Sequence, residues 1–139
     1  MRQFLLFWVV LPLCVASLTG CGRDEYGDLG VVQGVVTLDG EPYSHAMIVF
    51  SPQGGERPSQ GITDEAGNYE LIYIRTTRGA LLGDHKVRIS TIPRMPEDGT
   101  ANLRDRPKEL IPPRFNKQTE LIRTVQSGKN TFDFDLTTK

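Results

Sequence analysis

Two histidines, His45 and His85, two cysteines, Cys14 and Cys21, and the acids Asp39, Glu41, Asp64 and Glu65 are the side chains of this 139-residue chain whose types suit chemistry. A zinc site or an activated nucleophile needs a histidine joined by further ligands or by a base at workable spacing. His45 follows a turn region and His85 opens a strand, so both read as exposed strand-end residues. Adding Tyr43 and Tyr69 makes a four-ligand iron set possible by residue type, but the spacing does not support it. The four acids lie in turns that could meet at one end of a β fold and hold calcium through oxygen ligands, though without the regular spacing of an EF-hand loop. Asp39 and Asp64 are equally explained as turn formers. Lys86 with Arg88 reads as a solvated strand face. Arg104, Arg106 and Lys108, offset by Asp105 and Glu109, read as a solvated loop, with contact to anionic lipid or cell wall as the sharper alternative. No catalytic residue, metal site or cofactor is expected from these groups.

Cys21 differs because of what precedes it. Arg2 opens an apolar run from Phe4 to Leu18, and about 15 apolar positions fall short of the roughly 20 that span a bilayer. The run is therefore expected to be a cleaved export signal. Leu18-Thr19-Gly20-Cys21 resembles the bacterial lipobox, which implies cleavage before Cys21 and acylation of that cysteine. The expected organisation is a signal peptide over 1–20, a lipidated flexible tether over 21–30 and one β domain over 31–139. By the same resemblance the chain is a lipoprotein of the bacterial cell envelope, held on the membrane through acylated Cys21. Gly22, rather than Asp, after the cysteine resembles lipoproteins sorted to an outer membrane. Cys14 leaves with the signal, so no disulfide is expected even in a compartment that permits one. Removing residues 1–20 takes away one charge, Arg2, and leaves 15 basic and 17 acidic side chains, a net of −2 with both signs scattered. That balance carries no nucleic-acid footprint.

The elements that must position these residues are short and β-rich. Gly22 to Gly30 is charged and glycine-rich, with too little apolar surface to order itself. Val31 to Leu38 alternates, placing Val32, Gly34, Val36 and Leu38 on one face, and Asp39-Gly40 supplies a hairpin turn. Ala46 to Phe50 is apolar on both faces and reads as a central strand. A short strand near Gln60 to Thr63 leads through the turn Thr63–Asn68 into a strand from Tyr69 to Tyr73. In His85 to Thr91, Val87 and Ile89 point inward while Lys86, Arg88 and Ser90 point out. Ile92 to Glu109 has three prolines and no period, so it reads as a long surface loop outside the folding core. Glu120 to Val125 and Thr131 to Leu136 form the last pair, joined through Ser127 to Asn130, with Phe132 and Phe134 buried and Asp133 and Asp135 exposed.

Gly34-Val35-Val36 with Leu38 to Pro42, Ile48-Val49-Phe50, Thr63-Asp64 with Gly67-Asn68-Tyr69, and Gly79-Ala80 with Gly83 and Lys86-Val87 resemble the carboxypeptidase regulatory-like, or transthyretin-like, domain. Ile111-Pro112 with Phe115-Asn116, Thr119 with Leu121, and Gly128 with Asn130 are similar to the version found in small bacterial lipoproteins. The resemblance covers nearly all of residues 31–136. It implies an all-β, seven-stranded antiparallel Greek-key β-sandwich, serving as a non-enzymatic binding or structural module. The implied partners are the membrane and an envelope protein or polysaccharide, with the domain a monomer. A carbohydrate- or calcium-binding domain and a small enzyme of the same fold are the alternatives. Against the enzyme stand the absence of a peptidase domain and a C-terminus, Asp135-Leu136-Thr137-Thr138-Lys139, unlike the Tyr-Arg-Gly-Ser of the hydroxyisourate hydrolases.

Overall fold

The computed structural model describes residues 27–92 and 108–139. The expected signal over 1–20, Cys21 with the first part of the tether, and the body of the expected 92–109 loop lie outside the described residues. The strands are β1 (Leu29–Leu38), β2 (Glu41–Pro42), β3 (Ala46–Pro52), β4 (Ser59–Ile62), β5 (Asn68–Glu70), β6 (Ile72–Ile74), β7 (Thr77–Arg78), β8 (Ala80–Leu81), β9 (Gly83–Thr91), β10 (Ile122–Val125), β11 (Gly128–Thr131) and β12 (Phe134–Leu136). They form two sheets packed as an all-β sandwich. The first is built around β1 and the second runs β10-β9-β3-β4-β6-β7.

In β1 the inward faces of Val32, Gly34 and Val36 are buried, as their alternation requires. Antiparallel partners β8, β5 and β2 line one edge of the strand. Along the other, β11 and β12 run parallel to it in a single register, from Gly30↔Gly128 to Leu38↔Leu136. An all-antiparallel pattern was the expectation from short strands and tight turns; these two ladders depart from it because the chain returns from the far sheet rather than through a hairpin. Close approach along this edge needs glycine. A Cβ on Gly34 would sit 1.9 Å from the Phe132 carbonyl oxygen, and one on Gly30 would sit 2.2 Å from that of Gln126. Leu29 and Gly30 are thus strand residues, two positions earlier than the expected end of the tether.

The Asp39-Gly40 turn has φ of 51° and 87°, the left-handed pair that matches strand twist in a two-residue hairpin. β3 is central, flanked by β9 and β4. The run expected as one strand from Tyr69 to Tyr73 is divided: β5 pairs with β1, Leu71 is buried between the layers, and β6 pairs with β4 in the other sheet. The last expected pair is divided likewise. β10 pairs with β9, while the following residues cross to β1, and the expected loop residues Gly128 to Asn130 are already strand. Asn130 explains the crossing, since its buried side-chain amide accepts from the Gln126 N–H at 2.9 Å and donates to the carbonyls of Val31 and Gln126 at 3.1 and 2.8 Å.

Phe50 sits at the centre of the core, with ring centroids 5.9 Å from Phe132, 6.4 Å from Phe134 and 5.8 Å from His85. Phe134 and Leu136 are buried, Phe132 is half-buried, and Asp133 and Asp135 are exposed. Between β11 and β12, where the ladder is interrupted, the Asp133 carboxylate accepts from the Val35 N–H at 2.9 Å and carries the edge across the gap.

Candidate functional site

The pairing of β3 with β9 places the histidines at opposite ends of one ladder. Ala46, next to His45, faces Thr91, whereas Pro52 faces His85. Six residues of strand between these rungs amount to roughly 20 Å. No single ion or substrate atom can be held by both.

His85 is not an exposed strand-end residue. It is fully buried, and its Nε2 lies 2.7 Å from the Leu81 carbonyl oxygen. A carbonyl can only accept, so Nε2 carries the proton and donates. Nδ1 is buried with no hydrogen-bond partner. The side chain shares the inward face with Val87 and Ile89, and that parity outweighs its polar type. His45 is half-buried and adopts φ of 59° at the entry to β3.

The tyrosines are also engaged. Tyr69 donates its phenol to the Phe132 carbonyl at 2.7 Å, and Tyr43 shares a 2.8 Å hydrogen bond with Thr91 Oγ1. Burial, together with the Asp133 charge, pushes the Tyr69 phenol well above its ordinary range and opposes the phenolate that an iron ligand must supply. The four-residue iron set is therefore not assembled.

Asp39, Glu41, Asp64 and Glu65 do gather at one end of the sandwich, where a Cβ on Gly67 would meet Val36, Tyr43 and Pro42. Two of these carboxylates, Asp39 and Asp64, serve the fold. Asp64 accepts from the Ala66 and Asn68 N–H groups, both at 2.9 Å, and Gly67 takes φ of 78° to close that turn. Asp39 accepts from Thr138 N–H at 2.9 Å and Thr138 Oγ1 at 2.6 Å, tying the last residues to the first hairpin. These hydrogen bonds hold both carboxyls below the ordinary carboxylate value; the Thr138 hydroxyl leads at Asp39 and the Asn68 amide at Asp64. Among the described residues no group of three or more His, Cys, Asp or Glu side chains is placed to hold a metal ion.

Glu109 has a role the sequence did not disclose. Its carboxylate accepts from Thr91 N–H at 3.1 Å, Thr91 Oγ1 at 2.7 Å and Ile111 N–H at 2.9 Å, so the end of the expected loop is clamped to the end of β9. Ile92 is fixed beside it by its N–H to the His45 carbonyl at 2.8 Å.

What the fold does gather is charge of one sign on each outer face. The first sheet carries Glu41, Glu70 and Asp135, with Asp133 at the strand break, against Lys129. The second carries Arg78, Lys86 and Arg88 against Asp84, while Arg123, opposite the inward His85, turns to the Phe134 ring at 5.1 Å. A cleft over the first sheet is lined by Gln33, Asp64, Glu70, Thr131 and Asp133. A cleft at the margin of the second is lined by Arg57, Gln60, Tyr73 and Arg75. Comparisons with models of known protein families, with curated proteins and with solved structures found no match for the chain. Cys21, the one residue to which the sequence assigns a modification, lies outside the described residues.

Proposed function

We propose that the chain is a lipid-anchored protein of the bacterial cell envelope whose β-sandwich binds or supports other envelope components and performs no catalysis of its own. The observation that carries this reading is the apolar run Phe4–Leu18 ending in Leu18-Thr19-Gly20-Cys21. The described fold supports it by beginning at Leu29, so that Gly22 to Asp28 separate the acylated residue from the first strand. Seven residues span at most roughly 25 Å even when fully extended, which keeps the sandwich close to the membrane in this reading. Among the described residues no helix is long and apolar enough to cross a bilayer. The family reading, a carboxypeptidase regulatory-like domain of Greek-key topology, belongs to the same proposal. It is supported by the Asp39-Gly40 hairpin, the Asp64–Asn68 turn and the central β3, which lie at the positions the resemblance marks. The non-catalytic reading is supported by the separation of His45 from His85 and by the structural use of Tyr69, Asp39 and Asp64.

Labelling with a radioactive fatty acid, followed by detergent phase partition, tests the anchor. The wild-type chain takes label and enters the detergent phase; Cys21→Ser takes none and moves to the aqueous phase once processed. Each buried acyl methylene contributes about 0.8 kcal/mol, so two or more chains are needed for a hold this firm. A processed Cys21→Ser chain that stays in the detergent phase removes the proposal.

A further inference from the structure

The second sheet presents one continuous cross-strand row on its outer face. Arg88 faces Val49, Val49 faces Gln60, Gln60 faces Ile72 and Ile72 faces Arg78. At about 4.8 Å per strand the two arginines stand roughly 19 Å apart with an apolar and amide floor between them. Lys86, two residues from Arg88, points to the same side. Arg57 and Arg75 border the row at the adjoining cleft. Arg75 occupies the tip of the β6–β7 hairpin at φ 52°, a conformation that glycine or asparagine adopts with less strain, yet the position holds a cation. Lys86, Arg88 and Arg75 make no ion pair with any described residue; Arg78 reaches Glu70 at 3.5 Å. Ile122, cross-strand from Lys86, is 40% exposed.

We infer that this face docks on an anionic lipid surface, laying the sandwich flat with its acidic sheet turned away. A sheet face with cations at separate points across its width meets an extended anionic surface with several of them at once, whereas a thin polymer would engage a single row. An exposed isoleucine beside Lys86 suits the headgroup boundary, where apolar tips and basic groups both gain. The acidic first sheet is repelled by the same surface, so the charge split selects one orientation. Where the chain is anchored at Cys21 the short tether holds the face within reach of lipid, and to that extent the inference rests on the anchored reading.

The test uses the full chain carrying a photo-crosslinking side chain at Gln60 on the basic face or at Thr131 on the acidic face. Each is mixed with vesicles of phosphatidylcholine alone or with phosphatidylglycerol added. Lipid adducts are expected from Gln60, only with phosphatidylglycerol present, and not from Thr131. Lys86→Gln with Arg88→Gln should lower the Gln60 adducts on the order of 10- to 30-fold at unchanged melting temperature, since each loses a cation held near the surface. Arg57→Gln with Arg75→Asn provides an independent pair should the first fail to fold. Equal lipid adducts from both faces, or adducts from Gln60 to protein or polysaccharide alone, would overturn the inference. Fatty-acid labelling of the same samples keeps the two proposals apart. A labelled Cys21 with no lipid adduct at Gln60 leaves the anchor standing and removes the docking face; an unlabelled chain whose Gln60 adducts still require phosphatidylglycerol does the reverse.

Discussion

Asp39 and Asp64 show how a single carboxylate is used here. Both are exposed, and both have folded-state pKa values below the ordinary 3.8 because hydrogen-bond donors favour the charged form. A depressed carboxyl stabilises the fold above its unfolded value and loses that contribution as pH falls through the folded value. Asp39→Asn with Asp64→Asn should therefore melt below wild type at neutral pH, and the gap should close as pH is lowered beneath about 3.8. A gap that is constant across that window would mean the charge has no part in either turn. The Asp64 turn was legible in the sequence because an acid three residues before a glycine specifies the local geometry unaided. Its counterpart at Asp39 was legible only as a turn, since the Thr138 partner is distant in sequence and no local pattern announces it.

Strands were readable wherever one face is buried and the other is wet. β1 and β9 alternate clearly, and β3 shows the continuous apolar run of a central strand. Sheet membership was not readable at Leu71 or Phe132, because period-two alternation survives when a chain passes from one layer to the other across a shared core. Gly34 belongs to this scale, being inward-facing and apparently only a small core residue. Its missing Cβ in fact lets β1 approach the Phe132 carbonyl, which also accepts the Tyr69 phenol. Gly34→Ala should cost about 1–3 kcal/mol or more in urea unfolding, because the obstructing atom is backbone and cannot rotate away. A loss below about 0.5 kcal/mol would show that the β1 edge has slack that the register does not suggest. The candidate site was less legible than the strands. Lys86 and Arg88 lie on an outward face as their alternation requires, but the row that Arg88 opens runs through β3, β4, β6 and β7, and only the folded register aligns those residues.

At the scale of the whole molecule the two sheets differ in charge while the chain as a whole is close to neutral, so its net charge conceals the asymmetry that orients it. The parallel ladders of β1 bear on a different question, that of time. Val35 and Asp133 are joined across 98 residues of sequence, and each rung from Gly30 to Leu38 on that edge spans a similar distance. Pairings so remote in sequence slow folding into the range of milliseconds to seconds. Refolding from urea should show no early protection of the β1 edge, and a chain ending at Gln126 should fail to give a cooperative melt. A native-like melt from that shortened chain would show that the edge is dispensable. A polypeptide made N-terminus first thus emerges with its first strand waiting on its last, and stays open along that edge until the final residues arrive to close it.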